Sequence, residues 1–259
     1  MSYLLIDIGN SAVKLDFAVG NEQTFLTLPR SVTDWEKLLQ NWFDSVIGLS
    51  SNWSQCQIHV SSVCPELWER LCPLLKPTMS FKFWQDFEVP IDADVVDKNA
   101  VGSDRLFAAL YAATYKSPHR AALVCNVGTA QTVDVVSPDG KFCGGQIIPG
   151  VHIALEALHK KTAFLPKINR LSDNMIVSSC GKTTRQAMEF GAVNLACGIL
   201  ERMKRLVKEE FDSTPVVYVS GGAGRLICNN LGIKANYVEN MTLQGMRVAA
   251  ERIDLNRRW

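Results

Sequence analysis

A short pattern near the N-terminus recurs in the middle of the chain, and this repetition most restricts the possible folds. Residues 4–11 and 123–130 match at a constant offset of 119 positions. Both have an apolar run, an Asp or Asn, an apolar residue, a glycine and then two small or polar residues. Each leads into a second strand-like segment, without the helix of a Rossmann unit. The pattern predicts two similar α/β halves; a chance match of common strand–glycine–strand hairpins is the alternative.

Hydrophobic periodicity predicts the same opening for both halves: strand, turn, strand, turn, strand, helix. We predict two domains, residues 1–101 and 102–259. The predicted strands cover residues 4–8, 13–18, 24–28, 57–63, 81–84, 121–127, 132–137, 141–148, 216–220 and 235–238. The predicted helices cover residues 34–45, 65–75, 103–115, 150–160, 184–211 and 243–253, with one more between the last two strands.

Charge and hydropathy exclude several classes of function. The 259 residues carry 27 basic and 26 acidic side chains, a net charge of +1, which gives no general attraction to nucleic acid or to an anionic membrane. No run approaches about 18 consecutive apolar residues, so we expect no membrane-spanning helix. The first residues lack the basic region of a signal peptide. We therefore expect neither nucleic acid nor a membrane as a partner.

The eight cysteines favour a reducing compartment. No pair of them has the C-x-x-C spacing, and most lie within apolar runs, which is typical of buried, reduced thiols in a cytoplasmic protein. His152 and His159 are seven residues apart, and the H-E-x-x-H motif is absent. We therefore expect no cysteine–histidine metal centre.

The two glycine turns of the repeated segments are candidate phosphate-binding sites. Glycine lets backbone N–H groups approach an anion closely. Asp7 ends the first strand and offers hard oxygen atoms that suit magnesium, directly or through water. Asn10, Ser11 and Lys14 can contact phosphate oxygens, and Thr129 takes the place of Asn10 in the second half. The structural alternative is that Asp7 and Asn10 only shape a turn.

The segment Gly102, Ser103, Asp104 and Arg105 stands at the start of a predicted helix. Asp104 can accept a proton from a substrate hydroxyl, and Arg105 can bind a carboxylate or a phosphate. The structural alternative is a helix N-terminal acid beside a surface arginine.

A second glycine cluster, residues 221–224, follows a buried strand and permits close contact with a nucleotide, although a plain helix N-terminal turn is an equal alternative. Gly181-Lys182-Thr183 is not a P-loop, because Ile176 stands where the upstream glycine is required. No G-x-S-x-G motif is present, which excludes the usual serine hydrolases.

Several linked motifs, in the right order over the whole chain, resemble those of the type III pantothenate kinases. They are Asp7-x-Gly9-Asn10-Ser11, Gly102-x-Asp104-Arg105, Gly128-Thr129-Ala130-x-Thr132-x-Asp134, Gly144-Gly145-x-Ile147-x-Pro149-Gly150, Thr184-x-x-Ala187-x-x-x-Gly191 and Ser220-Gly221-Gly222. The resemblance implies a duplicated actin-like (ribonuclease H-like) α/β fold, with two domains and a cleft between them. It also implies the first step of coenzyme A biosynthesis, the ATP-dependent phosphorylation of pantothenate to 4′-phosphopantothenate.

The resemblance also implies roles for the matching residues. Asp104 would be the catalytic base, and Asp7 would hold magnesium. The implied substrate-binding residues are Gly102, Ser103, Asp104, Arg105 and Thr184. The implied ATP-binding residues are Asp7, Ile8, Gly9, Asn10, Ser11, Lys14, Gly128, Thr129, Gly221 and Gly222, with the last two facing the adenosine.

Members of this family are cytoplasmic homodimers that use magnesium and usually a monovalent cation, potassium or ammonium. Two positions depart from the family pattern. Asn126 stands where the family has an acidic ligand for the monovalent cation, and residues 95–99 contain no counterpart of a substrate-contacting tyrosine. For the dimer, the long predicted helix carries the small residues Gly191, Ala192, Ala196 and Gly198, which permit close approach of another helix. That helix can belong to the same chain or, as the resemblance favours, to a second copy across a twofold axis.

Two other functions remain open at this point. One is a kinase of the same superfamily that acts on a sugar or a carboxylate. The other is a regulatory protein that keeps the fold without catalysis. The presence of Asp7, Asp104, Arg105 and Thr129 favours an active enzyme.

Overall fold

The computed structural model describes residues 2–9, 11–19, 22–29, 34–47, 56–75, 80–82 and 88–257. The first series of elements is β1 (Ser2–Ile8), β2 (Ala12–Val19), β3 (Glu22–Pro29), α1 (Trp35–Ile47), β4 (Gln57–Ser62), α2 (Pro65–Leu75), β5 (Ser80–Lys82) and α3 (Ser103–Tyr115). The second series is β6 (Ala122–Val127), β7 (Ala130–Val136), β8 (Phe142–Pro149), α4 (Val151–Lys161), α5 (Thr184–Phe211), β9 (Val216–Ser220), α6 (Gly224–Asn230), β10 (Asn236–Tyr237) and α7 (Met241–Arg257).

The strands form two five-stranded sheets with the same topology. Their orders are β3-β2-β1-β4-β5 and β8-β7-β6-β9-β10. In each sheet the first three strands along the chain are antiparallel neighbours, whereas the fourth and fifth strands extend the sheet in parallel. Order and direction therefore agree strand by strand, which confirms the duplicated α/β fold that the sequence repeat predicts.

Most elements lie where the sequence predicts them. The bounds of α2, α3, α5 and β9 agree with prediction to the residue. Strand β7 begins two residues early, because the turn after Gly128 is tight, and α7 is longer than predicted at both ends. The sequence Thr33-x-x-Glu36 is typical of a capping box at the start of α1, but Thr33 lies outside the described residues.

Contacts divide the chain into two compact units. The first contains Met1–Pro90, Asn99–Tyr111 and Thr242–Trp259, and the second contains Ile91–Lys98 and Ala112–Met241. The first unit thus includes nearly all of the last helix, α7. The limits 1–101 and 102–259, together with the cleft, stay predictions about the two repeated halves.

The first sheet has one apolar face and one polar face. On the apolar face, residues of β1, β2 and β4 such as Ile6 and Phe17 pack with Leu39 of α1 and Trp68 of α2. Because side chains alternate along a strand, the next residues point to the other face. Those residues are Leu5, Asp7, Lys14, Asp16, His59 and Ser61.

Most of helix α3 and nearly all of α7 belong to the first unit, where the two helices pack closely against each other. Gly245 of α7 lies against the backbone carbonyl of Phe107 in α3, and a Cβ atom at position 245 would collide with it. The glycine therefore permits an approach that no other residue would allow.

The core of the second unit lies between its sheet and helices α4, α5 and α6. Leu123 and Cys125 of β6 and Val219 of β9 pack against Leu155 of α4 and Leu200 of α5. None of the eight cysteines forms a disulfide, and Cys56, Cys125 and Cys197 are buried. Among the described residues, no helix is both long and apolar enough to cross a membrane.

Asp16 on the polar face of the first sheet is a buried charge. It is fully buried, and neither carboxylate oxygen has a hydrogen-bond partner among the described residues. Burial raises the pKa of Asp16 from 3.8 to about 6, and the positive charge of Arg247 on α7 opposes that rise. A carboxyl whose pKa is higher in the folded state stabilises that state at low pH and loses this contribution as the pH rises through about 6.

Asp16→Asn is therefore expected to stabilise the protein at pH 8 by about 1–2 kcal/mol, with a gain near zero at pH 4. Urea unfolding at several pH values measures the difference. Asp7 titrates in the same range but is present in both proteins, so its contribution cancels. The exposed Asp173→Asn is the control and should show no such pH-dependent gain. Lower stability of Asp16→Asn at pH 8 would mean that attraction to Arg247 outweighs the cost of burial.

Candidate active site

The first glycine turn joins β1 to β2. The backbone N–H of Gly9 donates to the Ala12 carbonyl at 3.0 Å, which closes the turn, and Ser11 is exposed in it. The side chain of Ile8 packs in the apolar core, and its carbonyl accepts from the N–H of Val63 at 3.1 Å. A contact between Ile8 and ATP, as the resemblance implies, is therefore limited to backbone atoms. The predicted phosphate ligand Asn10 lies outside the described residues.

Asp7 is the buried carboxylate beside this turn. It is 8 % exposed and lies opposite Lys14 in the β1–β2 register. Burial raises the pKa of Asp7 to about 6; the positive charge of Lys14 lowers it, and the negative charge of Asp104 raises it further. A buried carboxylate under these conditions favours a nearby cation, because the cation stabilises its charged form.

The segment Gly102 to Arg105 begins helix α3, as predicted. The Gly102 carbonyl accepts from the N–H groups of Arg105 at 3.0 Å and Leu106 at 3.3 Å, which starts the helix. The carboxylate of Asp104 turns back over Gly102, so that a Cβ atom there would lie 2.6 Å from Asp104 Oδ1. The negative charge of Asp104 acts on Asp7, and both residues belong to the first unit.

The second unit carries the matching glycine turn between β6 and β7. The N–H of Gly128 donates to the Ala130 carbonyl at 3.1 Å, and that of Gly150 donates to the Thr129 carbonyl at 3.0 Å. Gly128 and Thr129 are exposed. This turn is one residue shorter than the first, since Val127 pairs with Gln131 whereas Ile8 pairs with Val13.

Asn126 lies next to this turn in the place that Asp7 has in the first unit. It pairs with Thr132 on one side and Ser220 on the other. Gly221 has a φ of +98°, and a Cβ atom there would lie 2.5 Å from the Val127 carbonyl and 2.7 Å from Asn126 Oδ1. Only glycine fits such a position without strain, which explains this residue of the motif. Gly222 is exposed with open space above it.

Thr184 is the first residue of α5 and is exposed. The capping residue of this helix is its neighbour Thr183, whose hydroxyl accepts from the N–H of Gln186 at 3.1 Å. Because Thr184 does not serve as the cap, its hydroxyl is available for another contact.

The predicted site residues thus fall into two groups, one in each unit. The first-unit group is Asp7, Gly9, Ser11, Lys14, Gly102, Ser103, Asp104 and Arg105, and the second-unit group is Asn126, Gly128, Thr129, Thr184, Gly221 and Gly222. Ser61 was missed: it lies beside Asp7 in the sheet register and contacts Ser103. The sequence shows Ser61 only as a polar residue in a mostly apolar strand. It does not show that Ser103 is the partner of this serine.

Each unit has the same sheet topology, with an Asx residue and a glycine turn at the corresponding position, which is the duplicated actin-like fold that the sequence resemblance implies. A family model described as type III pantothenate kinase matches residues 3–206. The chain belongs to the type III pantothenate kinase family and is a kinase.

Curated relatives agree over nearly the full length. A type III pantothenate kinase of Persephonella marina is 30% identical over 253 residues, which is 93% of this chain and 95% of that protein. A type III pantothenate kinase of Geotalea daltonii is 30% identical over 257 residues, which is 96% of this chain and 98% of that protein. A solved glucokinase from an Antarctic psychrotroph is similar at a TM-score of 0.42 and 11% identity, with coverage of 97% of this chain and 99% of that one. The family membership rests on the sequence matches alone.

Proposed function

We propose that this chain transfers the γ-phosphoryl group of ATP to the primary hydroxyl of pantothenate and forms 4′-phosphopantothenate for coenzyme A biosynthesis. The family match supports the substrate. The observation that carries the proposal is the first turn of α3, which presents Asp104 and Arg105 in the same unit as the buried Asp7. In this arrangement Asp104 can act as a base, the Arg105 guanidinium can bind a carboxylate, and Asp7 can bind a cation.

In this mechanism Asp104 accepts the proton of the pantothenate hydroxyl as the hydroxyl oxygen bonds to the γ-phosphorus. The bond from that phosphorus to the bridging oxygen breaks, and ADP leaves. Arg105 binds the pantothenate carboxylate with two parallel hydrogen bonds. Gly102 and Ser103 line the substrate beside them, and Thr184 adds a hydroxyl. Such a transfer depends mainly on positioning and on charge neutralisation.

The nucleotide is assigned to the glycine turns. The backbone of residues 8–9, the hydroxyl of Ser11 and the ammonium group of Lys14 bind its phosphates, together with Asn10. Gly128 and Thr129 bind phosphate from the second turn, and Gly221 and Gly222 face the adenosine. Exposed backbone at Gly128 and Gly222 supports these contacts.

Magnesium fits the residues of the first unit. Asp7 supplies hard carboxylate oxygens, and because burial disfavours its charged form and raises its pKa to about 6, a cation that stabilises this form would be bound favourably. When bound, magnesium neutralises charge on the ATP phosphates. Asp7 would hold the ion directly or through water.

A single assay separates this function from its alternatives. ATP consumption is followed with pantothenate, with a panel of sugars, with simple carboxylates and with no acceptor. Turnover that depends on pantothenate supports the proposal. Turnover with a sugar or a carboxylate alone would identify another kinase of the superfamily, and no turnover with any acceptor would favour a regulatory protein. The same proposal includes a cytoplasmic location, where ATP and a reducing environment are present.

The monovalent cation fits less well. Asn126 offers a neutral amide oxygen, Oδ1, beside Gly221, where a carboxylate would supply a full negative charge. A carbonyl oxygen alone holds a monovalent cation weakly. We therefore propose that this enzyme needs little or no potassium or ammonium.

The expected result is weak or absent activation by potassium. Initial rates are measured against added potassium chloride, with sodium chloride holding the ionic strength constant. Asn126→Asp should create or sharpen a potassium dependence, because it restores the missing charge. A strong, saturable rise of the wild-type rate at low millimolar potassium would show that Asn126 serves in place of the acid.

A homodimer is the proposed assembly, and the outer face of α5 supports it. Ala192 and Ala196 of this helix are buried in the chain's own core, whereas Gly191 and Gly198 are exposed with open space above them. An apolar groove of about 430 Å³ runs between α4 and α5. It is lined by Ala154, Ala157, Leu158, Lys161, Thr162, Gly191, Ala192 and Leu195. A second copy of the same helix would cover this surface.

Light scattering at micromolar concentration should therefore return twice the chain mass of 28.7 kDa. Leu195 is 51 % exposed in the groove, so Leu195→Glu should shift the protein toward the monomer. Leu38 on α1 is a matched control, since it is a similarly exposed helical leucine (44 %) in the first unit. A wild-type mass near 28.7 kDa, or equal effects of Leu195→Glu and Leu38→Glu, would contradict the proposal.

A further inference from the structure

Ser61 lies at a point where the first sheet and helix α3 meet. It is the fifth residue of β4, is 1 % exposed, and is paired with Asp7 in the parallel register of β1 and β4. Its side chain is on the polar face of the sheet, because Val60 points into the apolar core. The serine is therefore beside the carboxylate that the proposed mechanism uses.

The hydroxyl groups of Ser61 and Ser103 are 2.8 Å apart, which is a hydrogen bond between residues 42 positions apart in the chain. Ser103 is the first residue of α3, and Asp104 and Arg105 follow it in the same turn. This bond links the strand next to Asp7 to the turn that carries the proposed base and the carboxylate-binding arginine.

The second unit repeats this arrangement with different residues. Ser220 ends β9 and is paired with Asn126, the counterpart of Asp7. Its hydroxyl accepts from the backbone N–H of Met241 at 3.2 Å, and Met241 is the first residue of α7. In both units, a buried serine on the fourth strand thus bonds to the start of the helix that follows the fifth strand. The repetition indicates that this bond belongs to the duplicated unit.

We infer that Ser61 is a positioning residue for phosphoryl transfer, which holds the first turn of α3, and with it Asp104, against the end of β1 at Asp7. This inference rests on the proposed function. The turn needs a fixed attachment, because Asp104 has to stay aligned with the hydroxyl that it deprotonates. The hydroxyl pair supplies one, with Ser61 buried and Ser103 half-buried. A displacement of about 1 Å of a catalytic group can cost up to about 100-fold in rate.

Ser61→Ala is expected to lower kcat by about tenfold and to leave KM for ATP unchanged, because the turnover needs an aligned base. Ser61→Thr keeps the hydroxyl in a side chain that favours strands, and should retain a rate within about threefold of wild type. Ser62→Ala is the matched control: Ser62 is the next residue, is also buried, and accepts from the N–H of Cys64 at 2.9 Å. It should leave kcat unchanged.

A double-mutant cycle separates positioning from loss of stability. Ser61→Ala combined with Ser103→Ala should be no slower than the slower single variant, since both remove the same bond. Equal effects of Ser61→Ala and Ser62→Ala on kcat, or fully additive losses in the cycle, would overturn the role of Ser61. Each variant is checked for its unfolding temperature, so that kcat is compared between folded proteins.

Amide hydrogen exchange tests the same bond without any substrate. Ser61→Ala should speed exchange at the N–H groups of Arg105 and Leu106, which form the first turn of α3, whereas Ser62→Ala should not. If the wild type is inactive but Ser61→Ala shows faster exchange, the proposed function is rejected. The role of Ser61 in holding the first turn of α3 is then still supported. Unchanged exchange in Ser61→Ala would reject the attachment, whatever the activity of the wild type.

Discussion

Asp104→Asn is expected to lower kcat by roughly 10²–10⁴-fold while ATP still binds. The amide has nearly the shape of the carboxylate, so the first turn of α3 should persist. It cannot accept the proton of the pantothenate hydroxyl, so the attack on the γ-phosphorus loses its base. Turnover is measured by ADP release, and ATP binding by calorimetry on the same preparation.

The pH dependence of magnesium binding gives a second readout for this variant. The negative charge of Asp104 raises the pKa of Asp7 in the wild type, so its removal lowers that pKa. Asp7 then stays ionised at lower pH, and magnesium binding in the Asn variant should persist to more acidic conditions than in the wild type. The exposed Asp173→Asn is the control for general charge effects. Near-normal turnover of a folded Asp104→Asn protein would remove Asp104 from the mechanism.

Local patterns in the sequence were enough to predict most of the fold. The repeat at an offset of 119 predicted two units of one topology, and the alternation of apolar residues located their strands. Helix α5 is long and strongly patterned, so its predicted bounds agree with the structure. The membership of α7 in the first unit was not predicted. It depends on contacts between residues far apart in the chain, such as that of Gly245 with Phe107, which no local pattern contains.

The candidate site was predictable where its residues share a short motif. Asp104 and Arg105 stand at a helix start that the sequence marks with Gly102, and the structure has the helix there. Ser61 and Asp16 were not predicted, because each is a single polar residue in a strand. What distinguishes them is their burial and the residues near them in the folded chain. Ser61 forms a hydrogen bond with Ser103, and Asp16 is acted on by the positive charge of Arg247. Such information arises only when the chain is folded.

Arg105→Lys is expected to raise KM for pantothenate by about 10–100-fold and to change KM for ATP little. A guanidinium can donate two parallel hydrogen bonds to the pantothenate carboxylate, whereas an ammonium group binds it as a point charge. Arg120→Lys is a matched control, because Arg120 also donates two bonds, from Nε at 2.9 Å and Nη2 at 2.7 Å, to the Thr214 carbonyl outside the proposed site.

The pattern of the two Michaelis constants decides what Arg105 does. A rise in KM for pantothenate alone assigns the guanidinium to the substrate carboxylate. Equal rises for pantothenate and ATP would contradict this assignment and indicate a structural arginine that holds the first turn of α3. A lower kcat with both constants unchanged would also contradict it, because the loss of an interaction made only in the transition state lowers turnover without weakening ground-state binding. In that case Arg105 contacts the phosphoryl group during its transfer, and the pantothenate carboxylate must be bound by another residue.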